Sequence, residues 1–151
     1  MYAALTHLQN FLIPGSTTWA IQFRVSEALC VLAFFTPAAI PGLSAGCFLF
    51  NLTYAAALPL DILIGTLATA LSCSGMYLLR KFPAVGLCMP ALCNAVLVGW
   101  ELTFYIGGGF WFNALYVAIG ELAVLFTLGW LLYTTMKKRG LHRRLFGQSA
   151  D

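Results

Sequence analysis

Three long, predominantly apolar stretches constrain the fold of this chain more than any other feature. They run from Leu60 to Leu79, from Val85 to Ile106 and from Phe110 to Met136. A helix needs about 20 apolar residues to cross the hydrocarbon core of a bilayer. Because the core offers no water to the backbone, a spanning segment must satisfy its own hydrogen bonds, as a helix does. The stretches therefore predict three membrane-spanning helices.

The composition places the whole chain in the membrane. Hydrophobic residues make up 61% of its 151 residues and charged residues only 9%, against roughly 25% charged residues in soluble domains. Apolar segments leave no room for a separate soluble domain, so we expect a single integral membrane domain over residues 1–151. Any module that uses energy must then belong to another chain.

The first third of the chain predicts shorter helices. The apolar run from about Ile21 to Tyr54 is interrupted at Pro37 and Pro41, and proline removes a backbone donor and redirects a helix. The first segment, up to Ile13, is too short to span a bilayer, so the first helix is expected to be short or truncated. The predicted fold is an all-α, polytopic bundle of six transmembrane helices, at roughly 1–13, 21–36, 39–55, 60–80, 84–106 and 110–136.

Basic residues predict the orientation of this bundle. Seven of the eight lie either at Arg80 and Lys81 or in the basic segment 137–151. Cytoplasmic loops carry an excess of lysine and arginine, so this face is expected to be cytoplasmic. Both termini are then cytoplasmic, 137–151 is a cytoplasmic tail, and the loops near 14–20, 55–59 and 107–109 face outward.

Two glutamates, Glu101 and Glu121, lie inside the apolar stretches. An ionisable group in hydrocarbon costs several kcal/mol unless it meets a partner, a cavity or a ligand, and therefore indicates a functional site. The predicted topology places both in the outer half of the bundle, together with Arg24, Glu27 and Asp61. This distribution predicts a polar cavity that opens outward and is closed toward the cytoplasm.

Amides and aromatic residues accompany the two glutamates. Carboxylates and amides hydrogen-bond the edge of a planar heterocycle, while aromatic rings stack on its faces. We therefore predict a pocket for a small nitrogenous solute. The candidate substrate-binding residues are Glu101, Glu121, Asn113, Asn94, Trp111, Tyr116, Arg24, Glu27 and Asp61.

Several of these residues also have structural interpretations, which the sequence leaves open. Trp111 fits the aromatic belt at a membrane interface, and Asn94 fits a hydrogen bond between helices. Arg24 and Glu27, spaced i,i+3, can form an ion pair that fixes the second helix. Asp61 can serve as an anion at a helix N-terminus.

The sequence predicts neither an enzyme nor a metal or cofactor site. The five cysteines lie in apolar runs without a CxxC spacing, as small buried hydrophobic residues do. The two histidines, His7 near the start and His142 in the tail, are expected to lie far in membrane depth from Glu101 and Glu121, whereas acid–base catalysis usually places such groups together. The basic residues follow membrane topology, so no nucleic-acid partner is expected.

Several linked motifs carry a resemblance to a known family. They are Ile21 to Leu29, Pro37 to Leu43, Leu60 to Thr69 and Phe110 to Leu122. In this order, the motifs resemble the QueT-type queuosine precursor transporter family, over a range from about Ala3 to Lys138.

The resemblance implies a substrate-binding S component of an energy-coupling-factor (ECF) transporter in a bacterial cell membrane. Such proteins bind a micronutrient on the outer side and dock on a transmembrane coupling protein that carries two ATPase subunits. The implied solute is a 7-deazaguanine derivative or queuine, and either Glu101 or Glu121 would accept hydrogen bonds from its guanine-like edge. The first helix, with only Ala3 and Ala4 near its start, lacks the Ala-x-x-x-Ala motif by which S components dock.

One alternative function remains open at this point. A stand-alone carrier could couple the uptake of a small heterocyclic solute to protons or ions through protonation of a glutamate. Such a carrier would need no ATPase.

Overall fold

The computed structural model describes residues 1–14, 16, 23–54, 57 and 59–141. Within these ranges the protein is helical and contains no strand, which confirms the predicted all-helical membrane bundle. The elements are α1 (Tyr2–Leu12), a 3₁₀ helix (Val25–Phe34), α2 (Ala39–Thr53), α3 (Asp61–Leu78), α4 (Pro83–Gly86), α5 (Cys88–Tyr105), α6 (Phe110–Val124), a π-helical segment (Leu125–Gly129) and α7 (Trp130–Lys138).

Three of the helical segments are long and apolar enough to cross a membrane. They comprise 18 residues at Asp61–Leu78, 23 at Pro83–Tyr105 and 29 at Phe110–Lys138. The second consists of α4 and α5, and the third runs continuously through α6, the π-helical segment and α7. They correspond to the three apolar stretches of the sequence. Parts of the predicted helix 21–36, of the loops near 14–20 and 55–59, and of the tail lie outside the described residues.

The second helical segment is a 3₁₀ helix rather than an α-helix. It extends over ten residues, whereas most 3₁₀ helices end after three or four. At a rise of about 2.0 Å per residue it reaches about 20 Å, against about 15 Å for an α-helix of the same length. Nearly all of its residues are buried, and it contacts α1, α2, α3, α6 and α7. This thin, extended helix therefore occupies the middle of the bundle.

Helix α1 exposes apolar side chains and buries polar ones, the reverse of a helix in a soluble protein. Its exposed side chains include Leu8, Phe11 and Leu12, which suit contact with lipid. Its buried side chains are instead polar ones, namely Tyr2, Thr6, Gln9 and Asn10.

A large apolar core fills the end of the bundle near the basic residues. Phe35 and Tyr133 stack there with ring centroids 5.5 Å apart, and Met76, Leu87 and Leu125 are fully buried between them and the neighbouring helices. Asp61 begins α3 at the opposite end of the bundle. The interior thus changes from apolar at one end to polar at the other.

Small residues bring α5 and α6 into close contact. A Cβ atom on Gly99 would lie only 2.9 Å from the backbone Cα of Ala114, so no larger residue fits without separating the helices. Small residues play this role in many membrane bundles because they allow backbones to approach. Glu101 on α5 and Glu121 on α6 are both buried in the interior of the bundle between these closely packed helices and their neighbours.

Candidate functional site

One buried polar cluster contains four of the five acidic residues of the chain. Glu27, Asp61, Glu101 and Glu121 are all buried, and so is the single basic residue among them, Arg24. Arg24 interacts electrostatically with each of the four carboxyl groups. The structure therefore brings together the five charged residues predicted for the outer half of the bundle. We call these five residues, with Asn51 and Asn94, the polar cluster.

Glu101 on α5 is fully buried, with 0% of its surface exposed. Neither of its carboxyl oxygens has a hydrogen-bond donor among the described residues. Its charged neighbours are Asp61 at the start of α3 and Arg24. Glu101 thus presents two acceptor oxygens that accept no hydrogen bond from the described part of the chain.

Glu121 on α6 is held by one hydrogen bond only. The Nδ2 atom of Asn94 donates to its Oε1 atom at 2.9 Å, while Oε2 has no partner among the described residues. The carboxyl group is 1% exposed, and its charged neighbours are Glu27 and Arg24. The bond from Asn94 fixes the orientation of the carboxyl group and leaves one free oxygen.

Glu27 differs from these glutamates because the protein provides its donors. The hydroxyl of Tyr2 donates to Oε1, and the thiol of Cys30 donates to Oε2 at 3.1 Å. The buried Nε atom of Arg24, three residues earlier, has no hydrogen-bond partner in the part of the chain that the structure describes. Arg24 lies close enough to Glu27 to interact with it electrostatically, as the i,i+3 spacing predicts. Arg24 also interacts with Asp61, so its charge is shared between more than one carboxyl group.

Asn51 on α2 belongs to the site, although it is absent from the predicted binding residues. Its Nδ2 atom donates to the main-chain oxygen of Asp61 at 2.6 Å, joining α2 to α3. Its Oδ1 atom has no hydrogen-bond partner within the described ranges. Gly65 makes room for it, because a Cβ atom there would lie 2.8 Å from Nδ2 of Asn51. An amide buried in an otherwise apolar helix is the sequence signal that could have identified Asn51.

Among the described residues, five of the six buried polar atoms without a hydrogen-bond partner belong to the polar cluster. More than about 90% of buried polar groups in native proteins are hydrogen-bonded, so such a concentration indicates a missing partner. Four of the atoms are carboxyl or amide oxygens, which suits a ligand rich in hydrogen-bond donors. The atoms are Glu101 Oε1 and Oε2, Glu121 Oε2, Asn51 Oδ1, Arg24 Nε and Ser72 Oγ.

Three predicted binding residues lie apart from the buried cluster. Trp111 and Tyr116 face the outside of the bundle, with 81% and 42% of their surface exposed. Asn113 closes the turn between α5 and α6, where its Nδ2 atom donates to Thr103 Oγ1 at 3.0 Å and to the main-chain oxygen of Gly107 at 3.1 Å. Their roles in binding remain predictions, and Trp111 has the exposure of an interface anchor.

The chemistry of the cluster consists of hydrogen bonding and charge. Among the described residues, no group of three or more His, Cys, Asp or Glu side chains is arranged to hold a metal ion. The cysteines in the described ranges are all free thiols. What the cluster offers a solute is carboxyl and amide oxygens together with one guanidinium group.

Fold and site together define a multi-pass helical membrane protein with an intramembrane polar site, the kind of site that transport proteins use to hold a solute. The family model described as QueT transporter matches residues 1–138. The chain therefore belongs to the QueT transporter family, and it is a membrane transporter of a small molecule. Neither curated proteins nor solved structures provide a match. The family identified from the sequence motifs is thus confirmed.

Proposed function

We propose that this transporter is the substrate-binding S component of an ECF transporter and that it captures a queuosine precursor, a 7-deazaguanine derivative or queuine itself. The observation that carries the proposal is the fully buried carboxyl group of Glu101, which receives no hydrogen-bond donor from any residue that the structure describes. Membership of the QueT transporter family supports it. A separate coupling protein with two ATPase subunits would energise uptake.

A guanine-like edge matches the two free oxygens of Glu101. That edge carries a ring N–H and an amino group side by side, and a carboxylate accepts two parallel hydrogen bonds from such a pair. Glu121 offers only Oε2, because Asn94 occupies Oε1. We therefore assign the guanine-like edge to Glu101 and a single donor of the solute to Glu121. The free Nε–H of Arg24 suits the carbonyl oxygen of the same heterocycle.

The charge balance of the cluster favours a positively charged solute. Four carboxyl groups surround one guanidinium group, and an acidic site of low dielectric attracts cations. An aminomethyl group on the deazaguanine carries such a charge, whereas a cyano group does not. Among the queuosine precursors, the aminomethyl form is expected to bind more tightly than the cyano form.

The proposed orientation places the polar cluster toward the outside of a bacterial cell membrane. Arg80, Lys81, Lys137 and Lys138 lie at the end of the bundle that the apolar core fills, and the excess of basic residues marks the cytoplasmic side. Both termini are then cytoplasmic. A solute would enter from outside, and the packed apolar core on the cytoplasmic side would block its further passage. This arrangement fits a protein that captures its substrate and relies on a coupling protein for release.

Binding to the purified protein tests this proposal. The detergent-solubilised chain is titrated calorimetrically with 7-aminomethyl-7-deazaguanine, the cyano analogue, queuine, guanine and adenine. Saturable binding of a deazaguanine, with an increased unfolding temperature because ligand stabilises the native state, is the expected result. Uptake in cells should also require the coupling protein and its ATPases. Absence of deazaguanine binding would refute the proposed substrate.

A second candidate function rests on the neighbouring carboxyl groups of Glu101 and Asp61. Two carboxyl groups that share a proton can exchange it during transport, as an ion-coupled carrier requires. In that case a protonophore abolishes uptake, and deletion of the ATPases has no effect. The S component predicts the opposite pair of results.

A further inference from the structure

Helix α1 holds the short segment that carries Arg24. Three of its buried side chains recur at i, i+4 and i+7, which places them on one helix face. Each of them bonds to the segment 23–27. The pairs are Tyr2 with Glu27, Thr6 with Ser26 at 2.8 Å, and Gln9 with both Phe23 and Val25.

Gln9 binds the main chain on both sides of Arg24. Its Oε1 atom accepts a hydrogen bond of 2.8 Å from the main-chain N–H of Val25. Its Nε2 atom donates to the main-chain oxygen of Phe23 and to Ser16 Oγ at 3.0 Å. One buried amide group thus engages the peptide groups immediately before and after Arg24.

Two main-chain hydrogen bonds flank this point, from the N–H of Phe23 to the oxygen of Ser16 at 3.0 Å and from the N–H of Glu27 to the oxygen of Arg24 at 2.9 Å, but neither engages the N–H of Val25. Arg24 is extended, with φ −98° and ψ 96°, and it precedes the 3₁₀ helix without a side-chain cap. The first N–H groups of a helix have no partner within the helix, and Gln9 supplies one for Val25. Because the long Arg24 side chain starts from this backbone, its direction depends on how firmly residues 23–25 are held.

We propose that Gln9 is a positioning residue for substrate binding, which clamps the main chain around Arg24 and thereby directs the guanidinium group into the polar cluster. This inference takes the identity of the solute from the proposed function; the contacts of Gln9 do not depend on it. Gln9 itself does not touch the solute and acts through Arg24.

Affinity measurements test the clamp. Gln9→Met keeps the length of the side chain but removes all three hydrogen bonds of the amide group, and loss of the two bonds to the main chain beside Arg24 predicts a Kd for 7-aminomethyl-7-deazaguanine that rises about tenfold. Gln9→Glu keeps an acceptor for Val25 and should recover part of the affinity. His7→Ala is the matched control, since His7 also lies on α1 but contacts Thr53 and Phe50 on α2. Its Kd should stay within about twofold of the parent value.

A double-mutant cycle separates positioning from general damage to α1. If Gln9 acts through Arg24, Gln9→Met should add no further loss of affinity to Arg24→Gln, because the group it positions is already gone. Independent, additive losses in Kd would overturn the proposal.

Hydrogen–deuterium exchange provides a test that needs no solute. Gln9→Met should accelerate amide exchange in the peptide covering 23–27, whereas His7→Ala should leave it unchanged. If the parent protein binds no deazaguanine, the proposed substrate fails, and the exchange result alone decides on the clamp. Unchanged exchange in Gln9→Met would refute it.

Discussion

Asn94 on α5 donates a hydrogen bond of 2.9 Å to Oε1 of Glu121 on α6, so that only Oε2 of this buried carboxyl group lacks a partner. The sequence left open whether Asn94 joins two helices or belongs to the site. The hydrogen bond joins α5 to α6. Because it also orients the carboxyl group of Glu121, it supports a place for Asn94 in the site. Two helices that are already in close contact through Gly99 and Ala114 are thereby locked together beside the polar cluster.

Removal of Asn94 should weaken both the protein and its binding site. Asn94→Ala leaves Oε1 of Glu121 buried without a donor, which costs about 1–3 kcal/mol of stability. The carboxyl group also loses its fixed orientation, so the Kd for 7-aminomethyl-7-deazaguanine should rise about tenfold. Thermal unfolding and calorimetric titration measure the two effects. Val96→Ala on the exposed side of the same helix should leave the Kd unchanged, and an equal effect of both variants would contradict the prediction.

Glu101→Gln should separate affinity from stability. The substitution replaces one acceptor oxygen with a donor that faces the donors of the solute, and loss of a charged hydrogen bond predicts a Kd increase of about 10- to 100-fold. The unfolding temperature of the solute-free protein should not fall, because the carboxyl group has no donor to lose and its burial is costly.

The control for Glu101→Gln is Phe104→Leu, three residues along α5 and exposed on the outside of the bundle. It should bind like the parent protein. A Glu101→Gln variant that unfolds earlier yet binds normally would show that Glu101 is structural and would remove it from the site.

Two glycines allow a matched comparison of crowding in the site. A Cβ atom on Gly65 would lie 2.8 Å from Nδ2 of Asn51 and 3.8 Å from Nη1 of Arg24, whereas a Cβ atom on Gly42 would meet nothing within 4 Å. Gly65→Ala should therefore displace Asn51, weaken its bond to Asp61 and raise the Kd several-fold. Gly42→Ala should stabilise α2 by about 0.5–1 kcal/mol through helix propensity without changing the Kd. Similar behaviour of both variants in titration and thermal unfolding would contradict this account.

The membrane spans and the charged residues of the site could be predicted from the sequence, because the free energy of placing backbone or charge in hydrocarbon is large and depends on the local sequence. About 20 apolar residues in a row have few alternatives to a membrane helix, and a charge inside such a run must meet a partner or a ligand. Glu101 and Glu121 follow from these two facts, and the topology that the basic residues predict adds Arg24, Glu27 and Asp61. Which glutamate keeps free oxygens depended on the neighbours of each, and only the structure reveals that Asn94 bonds Glu121.

The aromatic residues illustrate a limit that is specific to membrane proteins. In water, apolar side chains turn inward, but a helix surrounded by lipid can carry them on any face. Position along α6 therefore predicts a place in the pocket for Trp111 and Tyr116 but does not distinguish the pocket from the surface that faces lipid. The structure has both side chains exposed on the outside of the bundle, and their role in binding stays a prediction.

The inward-facing residues of α1 could have been found from spacing alone. Tyr2, Thr6 and Gln9 recur at i, i+4 and i+7, and polar side chains repeated on one face of a lipid-exposed helix indicate that this face is buried. The 3₁₀ character of Val25–Phe34 had no such signal. It arises where the segment is enclosed by several helices, a condition that no local pattern in the sequence describes.

Cysteine labelling tests the predicted orientation of the bundle. In a background with the five native cysteines replaced, Ile106→Cys places a thiol at the exposed end of α5 beside the 107–109 turn, and Lys138→Cys places one at the exposed end of α7. Because basic residues cluster on the cytoplasmic side, an impermeant maleimide should label Ile106→Cys in intact cells. It should label Lys138→Cys only after the membrane is permeabilised. The reverse pattern would place the polar cluster toward the cytoplasm, where it could not capture a solute from outside, and would therefore contradict the proposed role in uptake as well as the topology.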